Sequence, residues 1–586
     1  MTRIVDTTIR LLSQQPLTGT ISTARVLEVA EILDGAGFAA LEVSGGGCFD
    51  AAVRRGVESP WERIRGLRAR CSQTRLQIAL RGRFLVGPRP VSDDLIRRFI
   101  LSAAESGIDI FRLHDPMNDV ENLAPAAAAV REAGGRLYAG LAFSGKMSNL
   151  ERVVEKARRL AELGADHVLL HDPAGALDPG TCGQVVSRLA EASGVPVGLY
   201  CQGTGGNALA MAVEASRSGA EPIAAAAYPV AASLNRVAAE FLCDALTGLG
   251  IDHGVDTARV WEASRFIDDH VTSQMPALPI PPRIALRTAL NRVPVGLVAE
   301  VDARLRAADA NDRLDEVLDE LARVRDDCGM PPLAQPIGGI LAGQAVRHVL
   351  SARRWTDASA EMRRLLGGGY GSPPMEIAPE AAAFADPDGA EEDPPDMDDL
   401  KAWAGGAPSE EDLLLLALFG GDAARLIENL RGRGVTSDRD SDAMEPSQSE
   451  RIRELIRMVE DSEVGELTLQ DGPVRITVRR HDERAPAPAP AAGAASAAAR
   501  EEPEVSSAIR LESPMVGTFY RSPSPSQPAF VDEGDRVEIG QTLCILEAMK
   551  LFNEFKAEHA GVIRRILVAN AEPVEYGQPL FELEPA

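Results

Sequence analysis

Between residue 3 and about residue 235, short β-type runs alternate with amphipathic helical stretches, and this alternation restricts the fold more than any other feature of the chain. The runs are RIVDTT, AALEVSG, LQIALRG, DIFRLHD, RLYAGLAF, DHVLLHD, VPVGLYC and EPIAAAAY, eight in all. Helical segments such as Ala24 to Ala36, Leu95 to Ser106, Asn149 to Leu163 and Gly183 to Ser193 lie between them. A strand that is followed each time by a crossover helix pairs in parallel with its neighbour, so eight βα units read as an α/β TIM barrel. In such a barrel any chemistry sits at the C-terminal strand ends. A doubly wound open sheet is the alternative.

Beyond residue 250 the chain changes character several times, and a multidomain protein is expected. Residues 251–375 read as a helical annex of the barrel (1–250): in LDEVLDELARVRDDCG, Leu314, Val317, Leu318, Leu321 and Val324 fall on one helix face. The span 376–445 carries eight acidic residues between Asp386 and Asp399, then a short helical piece, SEEDLLLLALFGGDAARLIENL, and reads as a solvated acidic linker. Residues 446–481 join the amphipathic SERIRELIRMVEDS to LTLQDGPVRITV, whose apolar alternation about Asp471-Gly472 marks a hairpin, so a small αββ module is expected. The Ala/Pro tether at 482–507 cannot build a core, and its composition predicts a mobile domain beyond it, at 508–586.

The formal charge of −26 and isoelectric point near 4.9 work against nucleic acid or an anionic membrane as a partner. Seven cysteines without a C-x-x-C pair suit a reducing compartment better than a disulfide or structural zinc framework. MTRIVDTTIR lacks an apolar signal core, and no run reaches the roughly 18 apolar residues that cross a bilayer, so a cytoplasmic protein is expected.

The last domain contains an internal repeat: VEIGQTLCILE at 537–547 returns as VEYGQPLFELE at 574–584. Two similar hairpin halves imply an all-β flattened barrel with a quasi-twofold axis. Between the copies EAMK, Glu547 to Lys550, falls where the halves join, so a lysine there protrudes within reach of a ligase and of more than one site. EAMKLFNEFKAEHAG resembles the biotinyl domains of biotin-dependent carboxylases, which carry biotin on the lysine of an (E/A)-A-M-K motif. The resemblance implies covalent biotin on Lys550, with Glu547, Ala548 and Met549 as the rest of the motif. SPMVGTFYRSPSPSQPAFVDEGD includes an insertion similar to the thumb of the carrier subunit of bacterial acetyl-CoA carboxylase. The αββ module and the tether resemble that subunit too, over about 449–586.

The first 375 residues resemble the carboxyltransferase domain of pyruvate carboxylase and the oxaloacetate decarboxylase α chain, through DTTIR, LEVSGGGCFDAAVR, PWERIRGLR, ALRG, FRLHDPMND and DEVLDELARVRDDCGMPPLAQPIG. That family holds a divalent metal, as a Lewis acid on the substrate carbonyl, at positions occupied here by Leu11, His171, Tyr200 and Gln202. Of these only His171 is a competent ligand. The family's proton-shuttling threonine falls on Leu234, with Ser233 one register away. Arg10, Gln14 and Arg81 match residues that bind the substrate carboxylate and carbonyl, and imply residual anion binding. Asp6, His114, Asp115, His171 and Asp172 also lie at strand ends, but such clusters are common on barrel rims.

The resemblances together imply a biotin carboxyl carrier subunit of an acetyl-CoA (acyl-CoA) carboxylase, fused to a degenerate carboxyltransferase barrel and serving fatty acid synthesis. It would shuttle carboxybiotin between a biotin carboxylase subunit and carboxyltransferase subunits after modification by a biotin protein ligase. No catalytic residue and no metal site is assigned to the barrel. The alternative is a carboxyltransferase-plus-carrier subunit of a pyruvate carboxylase or oxaloacetate decarboxylase.

Overall fold

The computed structural model describes residues 1–14, 21–56, 58–87, 90–143, 150–203, 206–271, 280–386, 400–401, 408–437, 466–471, 474–479, 509–512, 517–522, 530–537, 541–548, 551–557, 560–568, 572–574 and 578–585. They divide into two compact units, Met1–Ser447 and Gln448–Ala586.

In the first unit the eight predicted runs form a closed parallel barrel in chain order, which rules out the open sheet. The strands are β1 (Ile4–Asp6), β2 (Ala40–Gly45), β3 (Leu76–Leu80), β4 (Ile110–His114), β5 (Arg136–Ala142), β6 (His167–Asp172), β7 (Val197–Cys201) and β8 (Ile223–Ala225). Closure runs through Ile4↔Ile223, Val5↔Ala224 and Asp6↔Ala225. Val5, Ala40, Ile110, Tyr138, Leu169, Tyr200 and Ala224 cluster as a buried layer. Side chains alternate along a strand, so two residues further on, towards the C-terminal mouth, the same faces carry Glu42, Arg112, Gly140 and His171. These faces therefore carry a cluster of polar residues at the mouth.

The crossover helices begin where their capping residues dictate. Ser22, Ser92 and Asp178 accept hydrogen bonds from the backbone N–H groups of Arg25, Leu95 and Thr181, each cap contributing about 1 kcal/mol. The annex forms its own core, in which Leu314, Val317, Leu318, Leu321 and Val324 are all buried as the periodicity predicts. Phe84 and Met117, from the segments after β3 and β4, belong to this second core, and Phe84 stacks on Tyr370 with ring centroids 5.5 Å apart. The annex thus packs on the C-terminal side of the barrel.

One expectation needs correcting. The helical piece inside the span read as a linker forms two helices, Glu410–Phe419 and Gly421–Ser437, and they coat the barrel. Leu414, Leu415, Leu416, Leu418, Leu426 and Ile427 join the barrel's hydrophobic core, and Arg98 holds Glu410 through two hydrogen bonds of 2.6 and 2.7 Å. A helix that is apolar all round has to be buried, and LLLLALF is such a sequence. The acidic stretch 387–399 lies outside the described residues.

In the second unit β9 (Glu466–Asp471) and β10 (Val474–Arg479) pair as the predicted hairpin. The helix expected at SERIRELIRMVEDS and the tether at 482–507 lie outside the described residues. The remaining strands are β11 (Ile509–Glu512), β12 (Gly517–Tyr520), β13 (Arg536–Val537), β14 (Thr542–Ala548), β15 (Leu551–Lys556), β16 (Gly561–Ile566), β17 (Glu572–Val574) and β18 (Pro579–Pro585). They make two four-stranded antiparallel sheets, ordered β11-β18-β16-β13 and β15-β14-β12-β17. Each repeat copy divides between them: β13 of the first copy shares a sheet with β18 of the second, and β17 shares one with β14. Equivalent residues consequently fill one core, Val537 with Val574, Leu543 with Leu580, Cys544 with Phe581 and Leu546 with Leu583.

All seven cysteines are buried free thiols. Among the described residues no helix is long and apolar enough to cross a membrane.

Candidate functional site

The barrel mouth is built around one buried carboxylate. Arg10, on the short helix Thr8–Leu12 after β1, pairs through Nε with Glu42 of β2. Arg112 of β4 donates to the second oxygen of Glu42 at 2.7 Å, and Gln77 of β3 donates to that oxygen at 2.6 Å. The same Gln77 amide donates to the Tyr200 hydroxyl at 2.8 Å, and the Arg112 guanidinium lies 4.6 Å from the centroid of the Tyr200 ring. Burial on its own would raise the pKa of Glu42. The charges of Arg112 and Arg10 outweigh it and, with the hydrogen bonds from Gln77 and Arg10, hold the group down to about 2. Glu42 is an anion at any physiological pH.

A third guanidinium enters from the segment after β8. Gln202 and Arg236 face each other across an isolated antiparallel bridge, reinforced by Gly203 N–H donating to Asn235 O at 3.1 Å. With the Gln202 amide oriented to satisfy both side chains, its oxygen accepts from Nη1 and Nη2 of Arg236, each at 3.1 Å. Arg236 Nε is buried without a partner. Burial, together with repulsion from Arg10 and Arg112, pushes the Arg236 pKa down to about 9, which still leaves it charged at neutral pH.

His114 and His171 complete the mouth, with ring centroids 6.3 Å apart and planes 75° apart. The Nδ1 atom of each is buried without a partner. Burial, then the nearby cations led by Arg112, pushes His114 down to about 3 and His171 well below the ordinary imidazole range. Both rings stay neutral. An imidazole held that low accepts a hydrogen bond but is a weak general base.

The residues inferred to bind an anion, Arg10, Gln14 and Arg81, do converge. Arg10 Nη1 donates to Gln14 Oε1 at 3.1 Å, while Arg81 Nη2 donates to the carbonyls of Val86 and Gly87 at 2.9 and 3.0 Å. The glycine run explains the approach: a Cβ on Gly46 would stand 2.6 Å from Arg81 Nη2, and one on Gly47 3.1 Å from Gln14 Oε1. Gly46→Ala is therefore expected to displace the Arg81 guanidinium while costing less than about 1 kcal/mol of stability, since a flexible side-chain end can yield. Oxalate titration paired with a melting curve checks this: weaker binding at a nearly unchanged Tm is expected, and unchanged binding would show that Arg81 stays in place.

The positions that hold a metal in the resembling family do not fit one here. Leu11 is fully buried among apolar side chains. The Tyr200 hydroxyl is bonded to Gln77, and burial keeps its pKa above the ordinary phenol range. Gln202 is turned to Arg236, which leaves His171 alone. The neighbouring carboxylates serve their own loops. Asp6 accepts the Thr8 N–H and hydroxyl at 2.9 and 2.7 Å, Asp115 accepts the N–H groups of Met117 and Asp119, and Asp172 those of Ala174, Ala176 and Leu177. Among the described residues no three His, Cys, Asp or Glu side chains form a group able to hold a metal ion. Ser233, one register from the threonine position at Leu234, donates its hydroxyl to Pro229 O at 2.8 Å.

In the carrier domain Ala548 pairs with Leu551 and Glu547 with Phe552, so only Met549 and Lys550 separate β14 from β15 in sequence. Met549 and Lys550 themselves lie outside the described residues. Sequence reasoning had overlooked Glu42, Arg112 and Arg236. A signal existed for the first two: opposite charges inside apolar strand runs, LEVSG and FRLHD, must be paired when buried.

Three family models match the chain: HMGL-like over residues 1–267, conserved carboxylase domain over 289–468, and biotin-requiring enzyme over 509–583. The last identifies biotin as the covalent cofactor of the carrier domain. One of the pyruvate carboxylase subunits of Methanocaldococcus jannaschii is 31% identical over 565 residues, 94% of each chain. The 2-oxoglutarate carboxylase large subunit of Hydrogenobacter thermophilus is 28% identical over 604 residues, covering 94% of this chain and 90% of that one. Among solved structures, the carboxyl transferase domain of Rhizobium etli pyruvate carboxylase with pyruvate superposes with a TM-score of 0.67 at 23% identity, covering 74% of this chain and 78% of that one, a likeness of fold. These relatives overturn the expectation of an acetyl-CoA carboxylase carrier and of a role in fatty acid synthesis. Their similarity runs through barrel, annex and carrier alike, whereas that expectation rested on the carrier's insertion, the αββ module and tether before it, and the lost metal ligands.

Proposed function

We propose, from the premise that the chain belongs to the same family as the Methanocaldococcus jannaschii pyruvate carboxylase subunit, that it is the carboxyltransferase-plus-carrier subunit of a biotin-dependent carboxylase whose acceptor is a small 2-oxo acid. The observation that carries this reading is a cation-lined barrel mouth and a biotinyl domain in one chain that matches such a protein over nearly its whole length. The segments are assigned as barrel 1–250, annex 251–375, linker with barrel-coating helices 376–445, αββ module 446–481, tether 482–507 and carrier 508–586. Lys550, within Glu547-Ala548-Met549-Lys550, is the attachment residue, a biotin protein ligase attaches the cofactor, and a separate biotin carboxylase loads it. When attached, biotin supplies the nitrogen that carries the carboxyl group between sites.

The chain's own residues do the rest. Glu42 fixes Arg10 and Arg112, so their guanidiniums are oriented before any substrate arrives and need little reorganisation. Arg10 and Gln14 face the acceptor together, and Arg81 closes the same wall. Since the donors at Leu11, Tyr200 and Gln202 do not suit a divalent ion, no step is assigned to one.

The test is transfer of labelled bicarbonate by the biotinylated chain, with its biotin carboxylase and ATP, to pyruvate, 2-oxoglutarate and acetyl-CoA in parallel. Fixation on a 2-oxo acid, abolished by avidin, is the expected result. Fixation on acetyl-CoA alone would overturn the assignment.

A further inference from the structure

The mouth of the barrel holds more positive charge than its own acid can neutralise. Arg10, Arg112 and Arg236 are within electrostatic reach of one another, and Glu42 is the carboxylate that pairs with the first two. Among the described residues the side-chain partner of Arg236 is the neutral amide of Gln202. Buried polar groups are ordinarily partnered. Yet Arg236 Nε, Arg81 Nε, His114 Nδ1 and His171 Nδ1 are all buried without a partner at this one mouth.

We infer that Arg236 takes the place at which related carboxyltransferases hold a divalent metal, making the barrel mouth a metal-independent site for a small organic dianion. The side chain that would be the last metal ligand, Gln202, instead grips the Arg236 guanidinium, and His171 sits on the neighbouring strand β6, paired with Tyr200 of β7. A guanidinium is a rigid fork suited to a carboxylate or to a carboxylate and an adjacent oxyanion, which is the charge pattern of an enolised 2-oxo acid. Arg236 and the Arg10–Arg112 pair, which shares the one carboxylate of Glu42, present positive charge to that dianion. Neutral imidazoles at His114 and His171 can donate to it without adding charge. The inference rests on the proposed function only in the choice of 2-oxo acids and of oxalate, which mimics the planar enolate, as probes.

The full-length biotinylated chain, dialysed against chelator, is titrated calorimetrically with oxalate, pyruvate and 2-oxoglutarate. Saturable binding is expected without metal, with oxalate the tightest, unmoved by added manganese. Arg236→Gln should weaken oxalate by about ten- to a hundredfold, and Arg236→Lys should restore part of the loss. Should the variants unfold, the wild type alone decides: phenylglyoxal modification followed by peptide mapping should show Arg236 shielded by oxalate. Binding that needs manganese, binding unchanged in Arg236→Gln, or Arg236 modified equally fast under saturating oxalate would overturn the inference. Neither partner enzyme nor ATP is involved, so failed carboxylation beside intact oxalate binding counts against the acceptor assignment and for this site.

Discussion

Lys550→Arg is expected to remove the single biotin adduct from the intact mass of the chain and to abolish carboxyl transfer outright. The strands on either side define the place: β14 and β15 are paired up to Ala548↔Leu551, leaving two residues between them in sequence, and antiparallel strands can be joined by a link that short. The carrier's core is formed without the lysine, because the repeat supplies equivalent buried residues from both copies. The substitution keeps a positive charge but offers no primary amine to acylate. Far-ultraviolet circular dichroism and oxalate binding at the barrel should match the wild type, which separates loss of the cofactor from loss of the fold. An adduct that persisted in Lys550→Arg would move the attachment elsewhere.

What could be read from sequence follows from how local each cause is. The eight barrel strands were legible because strand and crossover alternate within windows of a few tens of residues, and the carrier's twofold was legible because the repeat is written out twice. The Glu410–Phe419 helix was misread because its acidic neighbourhood resembles a linker, while the deciding fact is that its leucines meet a surface made by residues some 300 positions earlier. The mouth was half legible. Arg10, Gln14 and Arg81 were found from motifs, but Glu42 meets Arg112 across 70 residues, and Arg236 meets Gln202 through an isolated bridge between the segments that follow β7 and β8. The structure sets the Arg236 guanidinium against Gln202, one of the positions matched to a metal ligand, a contact that no single motif contains. The insertion YRSPSPSQPAF misled for a related reason: a sequence feature confined to the carrier bears on the carrier, not on what the rest of the subunit does.

Glu42→Gln should be the most damaging single change in the barrel that leaves side-chain shape nearly intact. Glu42 is fully buried and is the counter-ion of both Arg10 and Arg112. Removing one partner from a buried ion pair leaves the other charges without compensation, at a cost of about 3–5 kcal/mol. The glutamine amide can still accept from one guanidinium, so the protein is expected to fold with a lowered melting temperature. The pH dependence separates charge from packing. The folded-state pKa of Glu42 is depressed to about 2 from the ordinary 4.5, so its stabilisation is fully present above about pH 4.5 and is lost as pH falls towards 2. The gap in Tm between wild type and Glu42→Gln should therefore be wide at pH 7 and narrow steadily below pH 4.5. Taking the difference between the two proteins cancels the other acids that titrate in the same range. Oxalate should stabilise the variant more than the wild type, because the vacated charge leaves the mouth with a greater positive excess for an anion to neutralise. A gap that is absent at pH 7, or that stays constant to pH 3, would mean that Glu42 is not the ion holding Arg10 and Arg112 in place.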